Sequence, residues 1–358
     1  MTRLPTSWDA RGFRAAVQSA LDGFVDEQAA RLEPLGADAA RLLAAARGSV
    51  SGGKRFRAAF CFWGFRAVVA EVPDPPALVR AAAALELLHA SALVHDDYMD
   101  SSDTRRGRPA SHRAFAAVHR ENGWSGDPEQ YGAAAAILLG DLLLCWSDEL
   151  LRTCGLPRDE VTEALGFFDS TRSEVITGQF LDVSVQARGS CDVDEAMRVL
   201  RYKSAKYSVE RPLHVGAVLA GGGHEVLEGL TRFGLPLGEA FQLRDDLLGV
   251  YGDPGVTGKP AGDDLTEGKR TVLVALALQH APAADAKRLD AGLGTALSVE
   301  QVAELRRIIS ESGAHAEVEQ RIEELTTRSL TALDEVPVTD EARTVLRELA
   351  AAATQRAV

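Results

Sequence analysis

Two sets of aspartates in this chain could hold hard cations: Asp96-Asp97 with Asp100, and Asp245-Asp246. On a helix, positions i and i+4 share a face, so Asp96 and Asp100 can grip a cation together while Asp97 points aside. Magnesium takes oxygen ligands, keeps several waters and commonly bridges one or two carboxylates to a phosphate. The basic stretch Asp103-Thr104-Arg105-Arg106-Gly107-Arg108 follows the first set directly. Carboxylates beside arginines read as the metal half and the anion half of a diphosphate site. An earlier patch, Ser51-Gly52-Gly53-Lys54-Arg55-Phe56-Arg57, places Lys54 and Arg57 at i, i+3 and suits a second diphosphate. It is not a Walker A loop, which needs GxxxxGK[ST] after a strand. The Gly-rich stretch from Gly255 to Thr271 carries Lys259 and Lys269, as a lid over phosphates would.

These residues need helices to position them. Leu85, Leu88, Ala92 and Asp96 step by three and four, which predicts one helical stripe within 77–100. Similar periodicity fills 132–153, 159–188, 192–220, 224–250, 270–281 and three stretches from Val299 onward. Turn-rich segments at 73–76, 121–132, 221–223 and 252–264 read as loops, and none is a domain linker. The expectation is one all-α domain over 1–358, with its motifs in 48–275 and C-terminal helices in 299–358. Acidic clusters delivered by two separate helices suggest a metal-lined cavity in a helical bundle.

Composition narrows the function. The 358 residues are 46% apolar and 25% charged, as in an ordinary globular protein, and the net charge of −13 argues against a nucleic-acid binder. No stretch reads as a transmembrane segment, Gly132–Trp146 being the longest candidate and cut by Asp141. The N-terminus lacks a secretory h-region, so a cytoplasmic location is expected. Cys61, Cys145, Cys154 and Cys191 lack CxxC spacing and read as reduced side chains.

Taken in order, GGKRFR, His89 seven residues before DDYMD, TRRGRP, Tyr202-Lys203-Ser204, FQLRDD and GKPAGDDLTEGK are a specific set. The chain resembles the trans-isoprenyl diphosphate synthases, and within them the actinobacterial-type geranylgeranyl diphosphate synthases, through YKSAKYSVERPLHVGA and DDLLGVYGDP. The resemblance implies an all-α isoprenoid synthase bundle with a central substrate cavity, working as a homodimer. It implies two magnesium ions on Asp96 and Asp100 and a third on Asp245, with Asp97 and Asp246 completing the catalytic motifs. It implies allylic diphosphate contacts from Arg105, Lys203, Lys259 and Lys269, and isopentenyl diphosphate contacts from Lys54, Arg57, His89 and Arg106. Ser204 and Gln242 match positions whose oxygens could stabilise an allylic cation, and Gln179 and Asp182 match a polar position on the cavity wall. One departure concerns the second motif, where Gly249 stands in place of a third aspartate. Asp253, eight residues after Asp245, is the candidate substitute, and a weaker third metal site would result.

The reaction implied is head-to-tail condensation of isopentenyl diphosphate with an allylic diphosphate. The allylic C–O bond ionises, the isopentenyl double bond attacks the cation, and a proton is lost. Ser91 and Ala92 lie about 6 to 7.5 Å back along the helix from Asp96, and Leu88 and Leu85 about 12 and 16 Å. Aromatic residues at the first two positions close the pocket of short-chain family members. Both are small here, so the C20 product is expected, with farnesyl or longer-chain synthesis as the alternative. A class I terpene cyclase would need a hydroxyl where Gly249 stands and no second diphosphate site. A non-catalytic regulatory subunit would be expected to lose one aspartate cluster, and both are kept.

Overall fold

The computed structural model describes residues 8–190, 192–252 and 262–355. Helices dominate, and their starts follow capping chemistry. Asp74 accepts the Ala77 amide at 3.0 Å ahead of Pro75-Pro76, so those prolines open a helix rather than extend the loop. Asp127 caps the helix that begins at Pro128 in the same way.

Two compact units divide the chain. The first gathers the described part of Met1–Gly166 with Pro212–Gly222 and Thr339–Val345. It holds α1 (Ala10–Leu32), α2 (Ala37–Ser49), α3 (Phe56–Val68), α4 (Pro75–Met99), α5 (Ser111–Glu121), α6 (Pro128–Arg152) and α9 (Arg211–Leu219). The helix α4 is apolar nearly all round, and Ala81 to Ala84, Leu85, Leu87 and Leu88 are buried. Such a helix belongs in a core. It is also long and apolar enough to cross a membrane, which the sequence reading missed in favour of Gly132–Trp146. Most of that apolar window is buried inside the protein, as expected of a core helix. The helices α3 and α9 touch backbone to backbone, since a Cβ on Gly216 would lie 1.8 Å from the Cys61 carbonyl oxygen.

The second unit gathers Phe167–Arg211, Gly223–Val338 and the described part of Leu346–Val358. Its helices are α8 (Val193–Leu200), α10 (His224–Tyr251), α11 (Asp263–Glu267), α12 (Val272–His280), α13 (Ala283–Gly292), α14 (Val299–Glu311) and α15 (Ala314–Glu335). The long α7 (Arg158–Arg188) and the final α16 (Asp340–Thr354) contribute residues to both units. A core built on Leu243, Leu247, Val272 to Ala277 and Ile308-Ile309 fills the second unit.

Two local features depart from a plain helical reading. Thr104–Arg105 (β1) and Arg108–Pro109 (β2) pair antiparallel through a two-residue turn, the only strands among the described residues. Arg201–Glu210, within the predicted 192–220 helix, winds as a π-helix between α8 and α9. Cys61, Cys145 and Cys154 are free thiols, with Cys61 and Cys154 buried; Cys191 lies outside the described residues.

Candidate functional site

In the first unit α4 carries the acidic cluster to its C-terminus. Asp100 is the C-cap and its amide donates to the Asp96 carbonyl at 2.8 Å, so the helix ends where the cluster does. Asp96 and Asp100 are partly exposed, whereas Asp97 is buried. Arg105 donates through Nε to Asp97 Oδ1 at 2.8 Å and stands 3.8 Å from Asp96 Oδ2. Asp97 therefore points aside, as i, i+4 geometry requires, and anchors Arg105 beside Asp96.

The hairpin that holds Arg105 turns at Arg106 (φ 52°) and Gly107 (φ 71°). Two left-handed residues in succession are the signature of a type I′ turn. The turn throws Arg106 back onto the Gly-Gly loop: its guanidinium donates to the Ser51 carbonyl at 2.9 Å and lies against Gly53. On that loop Lys54 is exposed and Arg57 partly so. Arg55, which no sequence argument placed, turns inward to Glu86 on α4 at 3.2 Å and to Gln18 at 2.6 Å. Glu86 also accepts the Ala58 amide at 3.1 Å. This buried ion pair fixes the loop against α4, while its neighbours Lys54 and Arg57 stay at least partly exposed.

His89, on α4 two turns before Asp96, lies in the resulting field. Burial first, then the guanidinium charges of Arg57, Arg106, Arg105 and Arg55, push its pKa well below the ordinary histidine value. It is neutral at physiological pH and can still offer one N–H. The next histidine, His95, is spoken for: its Nε2 lies 3.2 Å from the Ile137 carbonyl, over Gly140 of α6.

The residues assigned to the chain-length pocket sit on α4. Ser91, Leu88 and Leu85 are buried, and Ala92 is partly exposed.

In the second unit Lys203 and Ser204 lie on the π-helix. Lys203 Nζ donates to Asp182 Oδ2 on α7 at 2.5 Å, so two residues expected at one site do meet. Their meeting depends on glycines that the sequence reading passed over. A Cβ on Gly178 would lie 2.3 Å from the Lys203 amide nitrogen, and one on Gly238 would lie 2.4 Å from the Ala205 carbonyl. The helices α7 and α10 thus close on the π-helix from their bare positions, next to Gln179 of α7. Glu174 of α7 binds Arg211 at 2.6 and 2.7 Å and Lys206 at 3.1 Å, tying the far end of the segment.

On α10, Asp245 is partly exposed and Asp246 buried. Gln242 donates to Asp246 at 2.8 Å. Burial raises the Asp246 pKa to about 8, with the Gln242 hydrogen bond opposing the rise and the charges of Asp264 and Asp245 adding to it. Arg244 turns away, paired with both oxygens of Glu319 at 2.6 and 2.7 Å. Lys269 reaches Glu267 at 2.5 Å and Asp264 at 3.5 Å. Lys259 and Asp253 lie outside the described residues. Among the described residues no three His, Cys, Asp or Glu side chains converge as a ready-made metal centre. One or two carboxylates with phosphate oxygens suffice for magnesium, and partly exposed Asp96, Asp100 and Asp245 suit that role.

Acidic clusters on two helices, each with basic side chains held in place in the same unit, are groups able to hold divalent cations and phosphate oxygens. The polyprenyl synthetase family model matches residues 40–311, and the chain belongs to that family as a prenyltransferase. A geranylgeranyl pyrophosphate synthase structure from Corynebacterium glutamicum, complexed with isoprenyl diphosphate and magnesium, is 43% identical with a TM-score of 0.95. That match covers 98% of this chain and 100% of the other. A geranylfarnesyl diphosphate synthase of Aeropyrum pernix is 32% identical over 72% of this chain and 76% of its own length. A (2E,6E)-farnesyl diphosphate synthase of Mycobacterium bovis is 36% identical over 67% of this chain and 61% of its own.

Proposed function

We propose that the protein condenses isopentenyl diphosphate head-to-tail with allylic diphosphates and releases geranylgeranyl diphosphate. The observation that carries this reading is the basic loop and hairpin held against α4: Arg55 of the Gly-Gly loop pairs with Glu86 of α4, Arg106 of the hairpin donates to the Ser51 carbonyl, and Arg105 donates to Asp97. That helix ends in Asp96 and Asp100. An anion site and a cation site on one helix are what isopentenyl diphosphate and an ionising allylic diphosphate require.

Lys54, Arg57, Arg106 and the N–H of His89 would bind isopentenyl diphosphate and orient its double bond. Arg105, held by Asp97, and Lys203, held by Asp182, would take the allylic diphosphate, together with Lys269 and Lys259. Bound magnesium, three ions by resemblance, would supply the positive charge that makes diphosphate a good leaving group. The carboxylates of Asp96, Asp100 and Asp245 would hold it. The oxygens of Ser204 and Gln242 would face the allylic carbon as its C–O bond breaks, while the apolar faces of α4 exclude water from the cation. A C–C bond would then form between the allylic carbon and the isopentenyl double bond, and the released diphosphate would take up the proton that is lost.

The relatives make C15 and C25 products as well as C20, by their names, so kinship alone does not select the length. The small side chains at Ser91 and Ala92, with Leu88 and Leu85 beyond them, support C20. The match over 40–311 runs through both compact units, which supports reading the chain as one prenyltransferase domain. Homodimerisation is supported by apolar side chains left exposed: Ile137 and Leu138 on α6, and Ile176, Phe180 and Val183 on α7.

The test is incubation with isopentenyl diphosphate and each of dimethylallyl, geranyl and farnesyl diphosphate, followed by chain-length analysis. A C20 product whose formation stops on chelation and resumes with magnesium is expected. A cyclic hydrocarbon, or no consumption of isopentenyl diphosphate, would overturn the reading.

A further inference from the structure

Gly249 lies inside α10, four residues after Asp245 and therefore on its face. Its φ is not positive, so the backbone has no need of glycine there. A glycine in a helix interior is about 0.5–1 kcal/mol less favourable than alanine. The space explains it. A Cβ on residue 249 would lie 1.9 Å from Asp264 Oδ2, 2.4 Å from its Cγ and 2.9 Å from its Oδ1. No side chain can coexist with the Asp264 carboxylate where it now lies.

The carboxylate is delivered by α11, whose N-cap Gly262 adopts φ 76°. Lys269 fixes this residue, its amide donating to the Asp264 carbonyl at 3.0 Å and its Nζ standing 3.5 Å from Asp264 Oδ1. Asp246 is turned inward and bonded to Gln242, so it does not complete the Asp245 face. The acid beside the i+4 position of that face comes from another helix.

We propose that Asp264 supplies the carboxylate that position 249 lacks, with Gly249 kept bare to admit it, so that Asp245 and Asp264 together hold the divalent cation of the second cluster. The inference rests on the proposed function, in which that cluster serves a metal bound with diphosphate. It replaces the expectation of a weakened third site: the acid is relocated in space and restored to the same face. It also gives Asp264, the second aspartate of GDDLTEGK, a role that sequence spacing left unassigned.

The test uses the full chain carrying Asp96→Asn and Asp100→Asn, so that cation binding reports the second cluster. Binding of Mn2+ in the presence of inorganic diphosphate is followed by electron paramagnetic resonance, with circular dichroism confirming the fold. Asp264→Asn, nearly isosteric, should weaken Mn2+ binding roughly 10- to 100-fold. Gly249→Asp combined with Asp264→Asn returns an acid to the same face and should restore it. If Asp245→Asn abolishes binding while Asp264→Asn leaves it unchanged, the inference fails and the functional reading stands. If neither substitution affects binding, the cluster is not a cation site and the functional reading itself fails. Binding that the double variant does not restore would overturn the equivalence of the two positions.

Discussion

At the scale of single residues, function rests on charges that neighbouring side chains hold in place. Arg57 and Lys203 lie in different compact units and serve different diphosphates in the proposed reaction. Arg57→Ala should raise the KM for isopentenyl diphosphate, and Lys203→Ala that for the allylic substrate. Each loses a charge-assisted contact worth about 1.5–3 kcal/mol, or roughly 10- to 150-fold. Steady-state kinetics with each substrate varied in turn checks this, and equal effects on both substrates from both variants would refute the assignment. His89 yields a pH prediction. Its folded pKa lies below the unfolded value of about 6.5, so the unfolded chain takes up the proton first as pH falls. The stability it contributes is complete above about pH 6.5 and is lost as pH drops toward the folded value. Inorganic diphosphate, by countering the arginines, should move the His89 resonance in an NMR titration to higher pH. A resonance that titrates at 6.5 without ligand would show that the guanidinium field is not felt.

At the scale of elements, helices serve as rulers and clamps. The π-helix Arg201–Glu210 presents Lys203 and Ser204 because α7 and α10 approach it at glycines. Gly178→Ala places a methyl 2.3 Å from the Lys203 amide nitrogen. Overpacking of that kind destabilises by about 1–3 kcal/mol. Denaturant unfolding should show the loss, and the KM for the allylic diphosphate should rise as Lys203 shifts. Unchanged stability and KM would mean that the close approach does not hold the π-helix in place. On α4, Ala92→Phe should shorten the main product to C15 and Leu88→Ala should lengthen it past C20. Chromatography of the dephosphorylated products decides, and an unchanged spectrum in both variants would show that this face is not the pocket wall.

For the molecule as a whole, the question is what covers the apolar side chains of α6 and α7. Phe180 is 68% exposed and Leu138 60%, unusual values for large apolar residues on helices. A second copy of the chain is the proposed cover. Phe180→Asp should shift the protein from dimer to monomer in analytical ultracentrifugation while leaving its helical circular dichroism intact. A monomeric wild-type chain would dispose of the proposal.

The sequence by itself determined the helical class, the approximate bounds of α4, α6, α7, α10 and α12, and the identity of the aspartate and basic motifs. These depend on short-range physics: i, i+4 spacing puts Asp96 and Asp100 together, and apolar period marks the core stripe of Leu85 and Leu88. That Asp97 points aside was legible too, since a residue between two face-sharing acids must point elsewhere; that it anchors Arg105 was not. Other features were decided only in tertiary structure. Arg55 and Lys54 are adjacent and both basic, yet one is buried on Glu86 and the other exposed, because only one can face a carboxylate 31 positions along the chain. The π-helix was invisible because its residues have ordinary helical propensity, and it is packing at Gly178 and Gly238 that accompanies the change of winding. Gly249 is the clearest case. Read along the chain it is a missing acid, and read in space it is room for Asp264, because the position of a carboxylate is set by which helices pack together.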